Sequence, residues 1–95
     1  MMRTIERAST FKRDYKRIKT MPRYRKNIEL LLTDVLQHLI IDKTLATHYK
    51  DHALCGNWNG YRECHLKPDL LLIYQKPNQQ CLRLARLGSH SELFD

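Results

Sequence analysis

Cysteine is scarce in this chain, and the three present, Cys55, Cys64 and Cys81, form an odd set with no C-x-x-C pair. That pattern argues against a disulfide framework and fits reduced, partly buried thiols. Long apolar runs are missing as well. The longest, Leu70–Tyr74, falls far short of the roughly 20 residues a membrane span requires. The amino-terminal stretch alternates charged and apolar residues and has no signal-peptide core. A cytoplasmic protein with no membrane partner is therefore expected. Internal repeats and low-complexity tracts are absent. So is any zinc-type spacing. His48 and His52 stand four apart without a further ligand, and Cys64 and His65 point to opposite faces of a strand, so neither metal nor cofactor is expected. Acids are nearly lacking from residues 1–26, where ten of the 17 basic side chains face only Glu6 and Asp14, a local charge of +8. The other 69 residues carry −1. A basic end of this kind attracts polyanions by releasing their counterions, which points to nucleic acid or an acidic protein as partner.

What is present suits one small α+β domain over residues 1–95. Such a chain buries only about 60–65% of its unfolded surface, so its core is thin. Residues 3–8 suggest a short opening strand. Ser9 or Thr10 can cap a helix whose apolar side is Phe11, Tyr15 and Ile18, and Pro22 interrupts it. A second helix follows Pro22 to about Ile41, with Ile28, Leu31, Leu32, Val35, Leu36, Leu39 and Ile40 as a wide apolar stripe able to cover a sheet. Its start is crowded by Arg23, Arg25 and Lys26, where the helix dipole disfavours cations.

After a connection over 42–51 the period changes to two. Asn59-Gly60 signals a hairpin of type I′. Tyr61, Glu63 and His65 then alternate with Arg62, Cys64 and Leu66, Lys67-Pro68 turns, and "LLLIY" is apolar on both faces, as a central strand should be. Lys76-Pro77-Asn78-Gln79 makes another turn and "CLRLARL" a last strand, ended by Gly88. Ser89 and Glu92 form an S-x-x-E capping box for a short carboxy-terminal helical turn. The expected fold is two N-terminal helices packed on one face of an antiparallel sheet.

On that plan Cys64 and Leu66 face the helices, while Glu63 and His65 face outward. Asp69 lies across a turn from His65, His90 follows the last strand, and His52 precedes the first hairpin. Imidazoles beside carboxylates suit proton transfer near neutral pH. Cations such as Arg83 and Arg86 suit a phosphodiester, although strict alternation sends these two to opposite faces. Two histidines, a phosphodiester and no metal make RNA transesterification the natural reaction. Each residue also has a plainer role: surface histidines, a solvated Glu63, a salt-bridged Asp69. Trp58 reads as a packing anchor, and Phe94 either caps the small core or stacks on a base.

"HALCGNWNGYRECHLKPDLLLIY" followed by "RLARLGSHSELF" closely resembles the YafQ branch of the RelE superfamily, bacterial toxins of type II toxin–antitoxin systems. The shared spacings are H-x-L-x-G-x-W-x-G-x-R-[DE]-x-H-x-x-P-D-x-x-L-I-Y and R-x-G-[ST]-H-x-x-L-F, covering residues 50–94 in detail. The resemblance implies a metal-independent mRNA endoribonuclease acting in the ribosomal A site. Its functional histidines fall on His52, His65 and His90, its aspartate on Asp69 and its terminal aromatic on Phe94. Glu63 stands where aspartate is usual, and Leu70 where tryptophan is frequent. Arg86 matches a basic position and is preferred over Arg83 as phosphate contact. The expected arrangement has His65 held by Asp69 near the 2′-hydroxyl, His90 as acid, and His52 or Glu63 in support. The implied partners are a cognate acidic antitoxin, ribosomal RNA and mRNA, with DNA reached only through the antitoxin. Two other readings share the fold: a non-catalytic RNA- or ribosome-binding module, and an antitoxin-dependent corepressor.

Overall fold

The computed structural model describes residues 2–94. The elements run β1 (Thr4–Arg7), α1 (Ser9–Ile18), α2 (Ile28–Leu39), β2 (His52–Ala53), β3 (Arg62–Lys67), β4 (Leu70–Asn78), β5 (Cys81–Gly88) and α3 (His90–Phe94). They build one five-stranded sheet in the order β1-β5-β4-β3-β2. The α+β layout with a pair of helices on one face is as the periodicity indicated, but the sheet is mixed: β1 pairs parallel with β5, and the other pairs are antiparallel.

Both helices follow from apolar spacing. In α1, Phe11 and Ile18 are buried; in α2, Ile28, Leu32, Val35 and Leu39 recur at intervals of four, three and four and cover the sheet. Neither Ser9 nor Thr10 caps α1. Ala8 holds that position, and the Thr10 hydroxyl instead donates to the Ala85 carbonyl at 2.8 Å. β1 ends opposite Leu84, and α1 continues along the exposed edge of β5, meeting its backbone groups with side chains. The second helix starts at Ile28, with Glu29 in its first turn, so Arg23, Arg25 and Lys26 lie in the preceding turn, clear of the unfavourable dipole end.

β4 is the middle strand, and its two apolar faces feed two cores. Leu70, Leu72 and Tyr74 join the helices; Leu71 and Ile73 join Ala85 and Leu93, with Leu54, Trp58, Tyr61 and Phe94 packed around them. The face expected to be open is thus largely covered by the 54–61 loop and α3. Trp58 is a packing residue, edge-on to Tyr61 with ring centroids 5.2 Å apart.

Two turns differ from expectation. Asn59 has φ −55 and ψ 133 and only Gly60 has positive φ (+92), so Trp58–Tyr61, closed by the Tyr61 N–H to the Trp58 carbonyl at 3.0 Å, is of type II rather than I′. β4 runs through Pro77 to Asn78, past a register shift, and the turn falls on Gln79-Gln80. A second register shift alters the site. Tyr74 pairs with Leu84 and Ile73 with Arg86, leaving Ala85 as a bulge residue, so Arg83 and Arg86, opposite Gln75 and Ile73, share a face instead of splitting between two. At the strand's end the capping box forms as read: the Ser89 N–H donates to Glu92 Oε1 at 2.8 Å and the Glu92 N–H to Ser89 Oγ at 3.2 Å. Gly88 lets this turn fold back, since a Cβ there would stand 3.0 Å from Glu92 Oε1.

Candidate active site

Alternation puts Glu63 and His65 on one face of β3, and the register sets His52 of β2 directly opposite Glu63. The three side chains meet. His65 Nε2 lies 3.2 Å and His52 Nε2 3.4 Å from the same oxygen, Glu63 Oε1. Glu63 is only 5% exposed. The imidazoles stand between it and solvent, with side-chain exposures of 21% for His65 and 52% for His52. The expectation of a solvent-facing Glu63 is corrected here: it is buried, with His52 and His65 on its carboxylate.

The two rings are held differently. His52 Nδ1 lies 2.7 Å from the Lys50 carbonyl, which only accepts, so Nδ1 carries a proton. His65 is held at Nε2 alone, leaving Nδ1 free of protein partners among the described residues. The segment that carries His52 is itself pinned. Asp51 accepts from the Tyr74 hydroxyl at 2.6 Å and from Arg62 at 3.4 Å. Burial, joined by the Asp51 carboxylate, pushes the Tyr74 phenol up, so it stays a donor. Burial also pushes up the Cys64 thiol beside these residues and keeps it an inert core group.

Asp69 does not hold His65. Its Oδ1 accepts from the His90 backbone N–H at 3.1 Å, and its carbonyl accepts from the Tyr24 hydroxyl at 3.4 Å. It ties the start of α3 to the β3–β4 corner, and the carboxylate bonded to His65 is Glu63. The ring of His90 is exposed and packs against Phe94, with centroids 5.1 Å apart. Pairing runs His65–Leu71–Gly88 across three strands, so His65 and the residues just before His90 share one row, two interstrand spacings (roughly 10 Å) apart.

The arginines fare less well as phosphate ligands. Arg86 binds buried Asp14 through Nε at 2.7 Å and Nη2 at 3.3 Å, and this bond raises its already high pKa. Its charge is committed to a structural pair. Arg83 donates to Glu6 at 2.7 Å and to Gln75 at 3.0 Å, and it pairs with Gln75, four residues along β4 from Leu71 and thus about 13 Å from the row of His65. Leu70 is fully buried under the helices and is no substrate contact.

A family model described as a bacterial toxin of type II toxin–antitoxin system, YafQ, matches residues 3–95. The chain belongs to the YafQ family. The mRNA interferase toxin YafQ of Escherichia coli (strain K12) is 36% identical over 96 residues, spanning 99% of this chain and 98% of its own length. The E. coli DinJ-YafQ toxin-antitoxin complex contains a chain that superposes with a TM-score of 0.84 at 34% identity, all of both chains being covered. A metal-bound toxin from Helicobacter pylori matches with a TM-score of 0.83 and 47% identity over 99% of this chain and 100% of its own.

Several site residues of this YafQ-family chain were not visible in its sequence. Tyr24, Asp51 and Tyr74 position the loops carrying Asp69, His90 and His52, yet each reads as ordinary turn or core. Asp51 had one available signal, its place immediately before His52. Lys50 works through its carbonyl, which no side-chain pattern reports.

Proposed function

We propose that this YafQ-family toxin is a ribosome-dependent mRNA endoribonuclease that cleaves by metal-free acid–base attack of a 2′-hydroxyl on the adjacent phosphodiester. The observation that carries the reading is the convergence of two imidazole Nε2 atoms on one buried carboxylate oxygen, one of them from His65, whose row ends at Gly88, two residues before His90.

An ionised Glu63 only accepts, so His65 turns its proton inward at Nε2 and presents the lone pair of Nδ1. This nitrogen takes the 2′-hydroxyl proton as the oxygen attacks phosphorus. His52, with Nδ1–H bound to the Lys50 carbonyl, reaches Glu63 as a donor only in its imidazolium form, and in that form it steadies the phosphorane charge. His90, exposed at the head of α3, protonates the departing 5′-oxygen, and Asp69 fixes its backbone. The products are a 2′,3′-cyclic phosphate and a free 5′-hydroxyl. Phe94, beside the His90 ring, offers a face for a neighbouring base.

The basic N-terminal third has a place in this reading. Arg7, Lys12, Lys16 and Lys19 rim a groove of about 370 Å³ floored by Phe11 and Tyr15. This surface suits ribosomal RNA and, in the inhibited state, an acidic cognate antitoxin, consistent with the partner in the E. coli DinJ-YafQ complex. Both are met in the cytoplasm; no helix among the described residues is long and apolar enough to cross a membrane.

Primer extension on a reporter message, translated with and without this protein, tests the reading. New in-frame 5′ ends, lost with the folded His90→Ala variant and carrying a free 5′-hydroxyl opposite a 2′,3′-cyclic phosphate, are expected. A message left intact by the wild-type protein rejects the enzyme, and cut ends that carry a 5′-phosphate and a 3′-hydroxyl reject attack by the 2′-hydroxyl.

A further inference from the structure

β2 pairs only with Arg62 and Glu63, so the outer edge of β3 beyond Glu63 has no partner strand. The single helical turn Thr47–Tyr49 packs near that edge. Between it and the Lys67–Pro68 corner lies a recess of about 290 Å³, lined by His48, Lys50, His65, Leu66, Lys67 and Pro68. This volume is close to the roughly 300 Å³ at which small-ligand sites begin.

Its chemistry is one-sided. Two ammonium groups and two imidazoles line it, and no carboxylate does. Among the described residues, Lys76 is the one lysine in an ion pair, so Lys50 and Lys67 keep their charge for a ligand. His48 is steadied by its ring lying 4.1 Å from that of Tyr49. Lys50 has φ 51 and ψ 41, a left-handed conformation that a non-glycine residue adopts at a cost. That backbone aims the carbonyl at His52 Nδ1 while the side chain lines the recess. One residue thus serves both places, and His65 is shared between them.

We infer that this recess is a subsite for the RNA phosphodiester next to the scissile one, gripped by Lys50 and Lys67 with His48 alongside. The inference rests on the nuclease reading for its register, since His65, the base of that reading, itself lines the recess. Its function is to set which phosphodiester comes to the histidines.

The test uses binding, separate from cleavage. A short fluorescent single-stranded RNA is titrated by anisotropy against the full chain carrying His90→Ala, at several salt concentrations. Adding Lys50→Gln or Lys67→Gln is expected to lower the salt slope by about 0.7 each and the affinity by about fourfold each at 0.15 M salt, as one lost phosphate contact on a single strand predicts. Lys43→Gln, which removes the same charge after α2, next to the Asp42 that binds Lys76, is expected to change the slope by less than half as much. Equal slopes for the three lysine variants, or no RNA binding by the parent, overturn the subsite. So does an oligoglutamate peptide whose binding falls with Lys50→Gln and Lys67→Gln while RNA binding does not, an outcome that assigns the recess to an acidic protein. Failure of cleavage in the reporter assay with these slopes intact would reject the nuclease and leave the phosphate site standing.

Discussion

Two carboxylates are buried among the described residues, Asp14 on α1 and Glu63 on β3, at 6% and 5% exposure. Their surroundings treat them differently. Asp14 is saturated: Arg86 grips both oxygens, the Leu87 N–H donates to Oδ2 at 3.0 Å, and Arg17 stands 3.7 Å from Oδ1. These partners are permanently charged or fixed in the backbone, so the site is inert. Glu63 has two imidazoles, both on Oε1, and imidazole is the side chain that exchanges protons near neutral pH. Burial of an acid is therefore structural at Asp14, whereas the chemistry proposed for Glu63 depends on its imidazole partners.

The comparison breaks if Glu63 proves merely structural. Glu63→Gln keeps the shape and removes the charge that orients His65, and cleavage of the reporter message is expected to fall by at least about 10²-fold, with urea unfolding little changed. Retention of cleavage within tenfold of wild type would put Glu63 in the same class as Asp14. The converse substitution, Asp14→Asn, sets an amide among donors that need an acceptor. It is expected to cost about 2–3 kcal/mol in urea unfolding, with cleavage per folded molecule unchanged. A selective loss of cleavage at full stability would show that Arg86 acts on substrate after all.

The smallest effect sharpens the comparison with an acid that has cations but no burial. Asp42 bonds Arg3 at 2.8 Å and Lys76 at 2.7 Å, and these hydrogen bonds hold its carboxyl down at about 2 against an ordinary 3.8. A depressed carboxyl stabilises the fold above its unfolded pKa and loses that contribution as protons are added. The stability difference between wild type and Asp42→Asn should therefore be constant above about pH 5, shrink as the pH falls from about 5 to about 1, and vanish below, as followed by circular dichroism during acid titration. A difference that persists undiminished at about pH 1 would assign the effect to something other than these ion pairs.

Much of this molecule was legible from neighbouring residues. The stripe of Ile28, Leu32, Val35 and Leu39 and the doubly apolar β4 are patterns within one element, and the Ser89–Glu92 box closes over three residues. Alternation likewise put Glu63 and His65 on one face of β3. Other features misled because the deciding contact was remote. Asn59-Gly60 has the composition of a tight hairpin, but the Gly56–Trp58 turn and the packing of Trp58 on Tyr61 select a type II geometry. Asp69 is near His65 in sequence, yet it is drawn to the His90 backbone, which leaves His65 to Glu63.

By itself the sequence determined the order of elements, the apolar faces and the residue types available for proton transfer, since periodicity and capping act over one or two turns of chain. Tertiary structure alone decided that β1 runs parallel to β5, that a bulge at Ala85 turns both arginines to one face, and that Asp14, 72 residues away, takes Arg86 out of service. Each of these depends on groups that meet only once the sheet has closed, where burial makes an unpaired charge costly and so selects its partner.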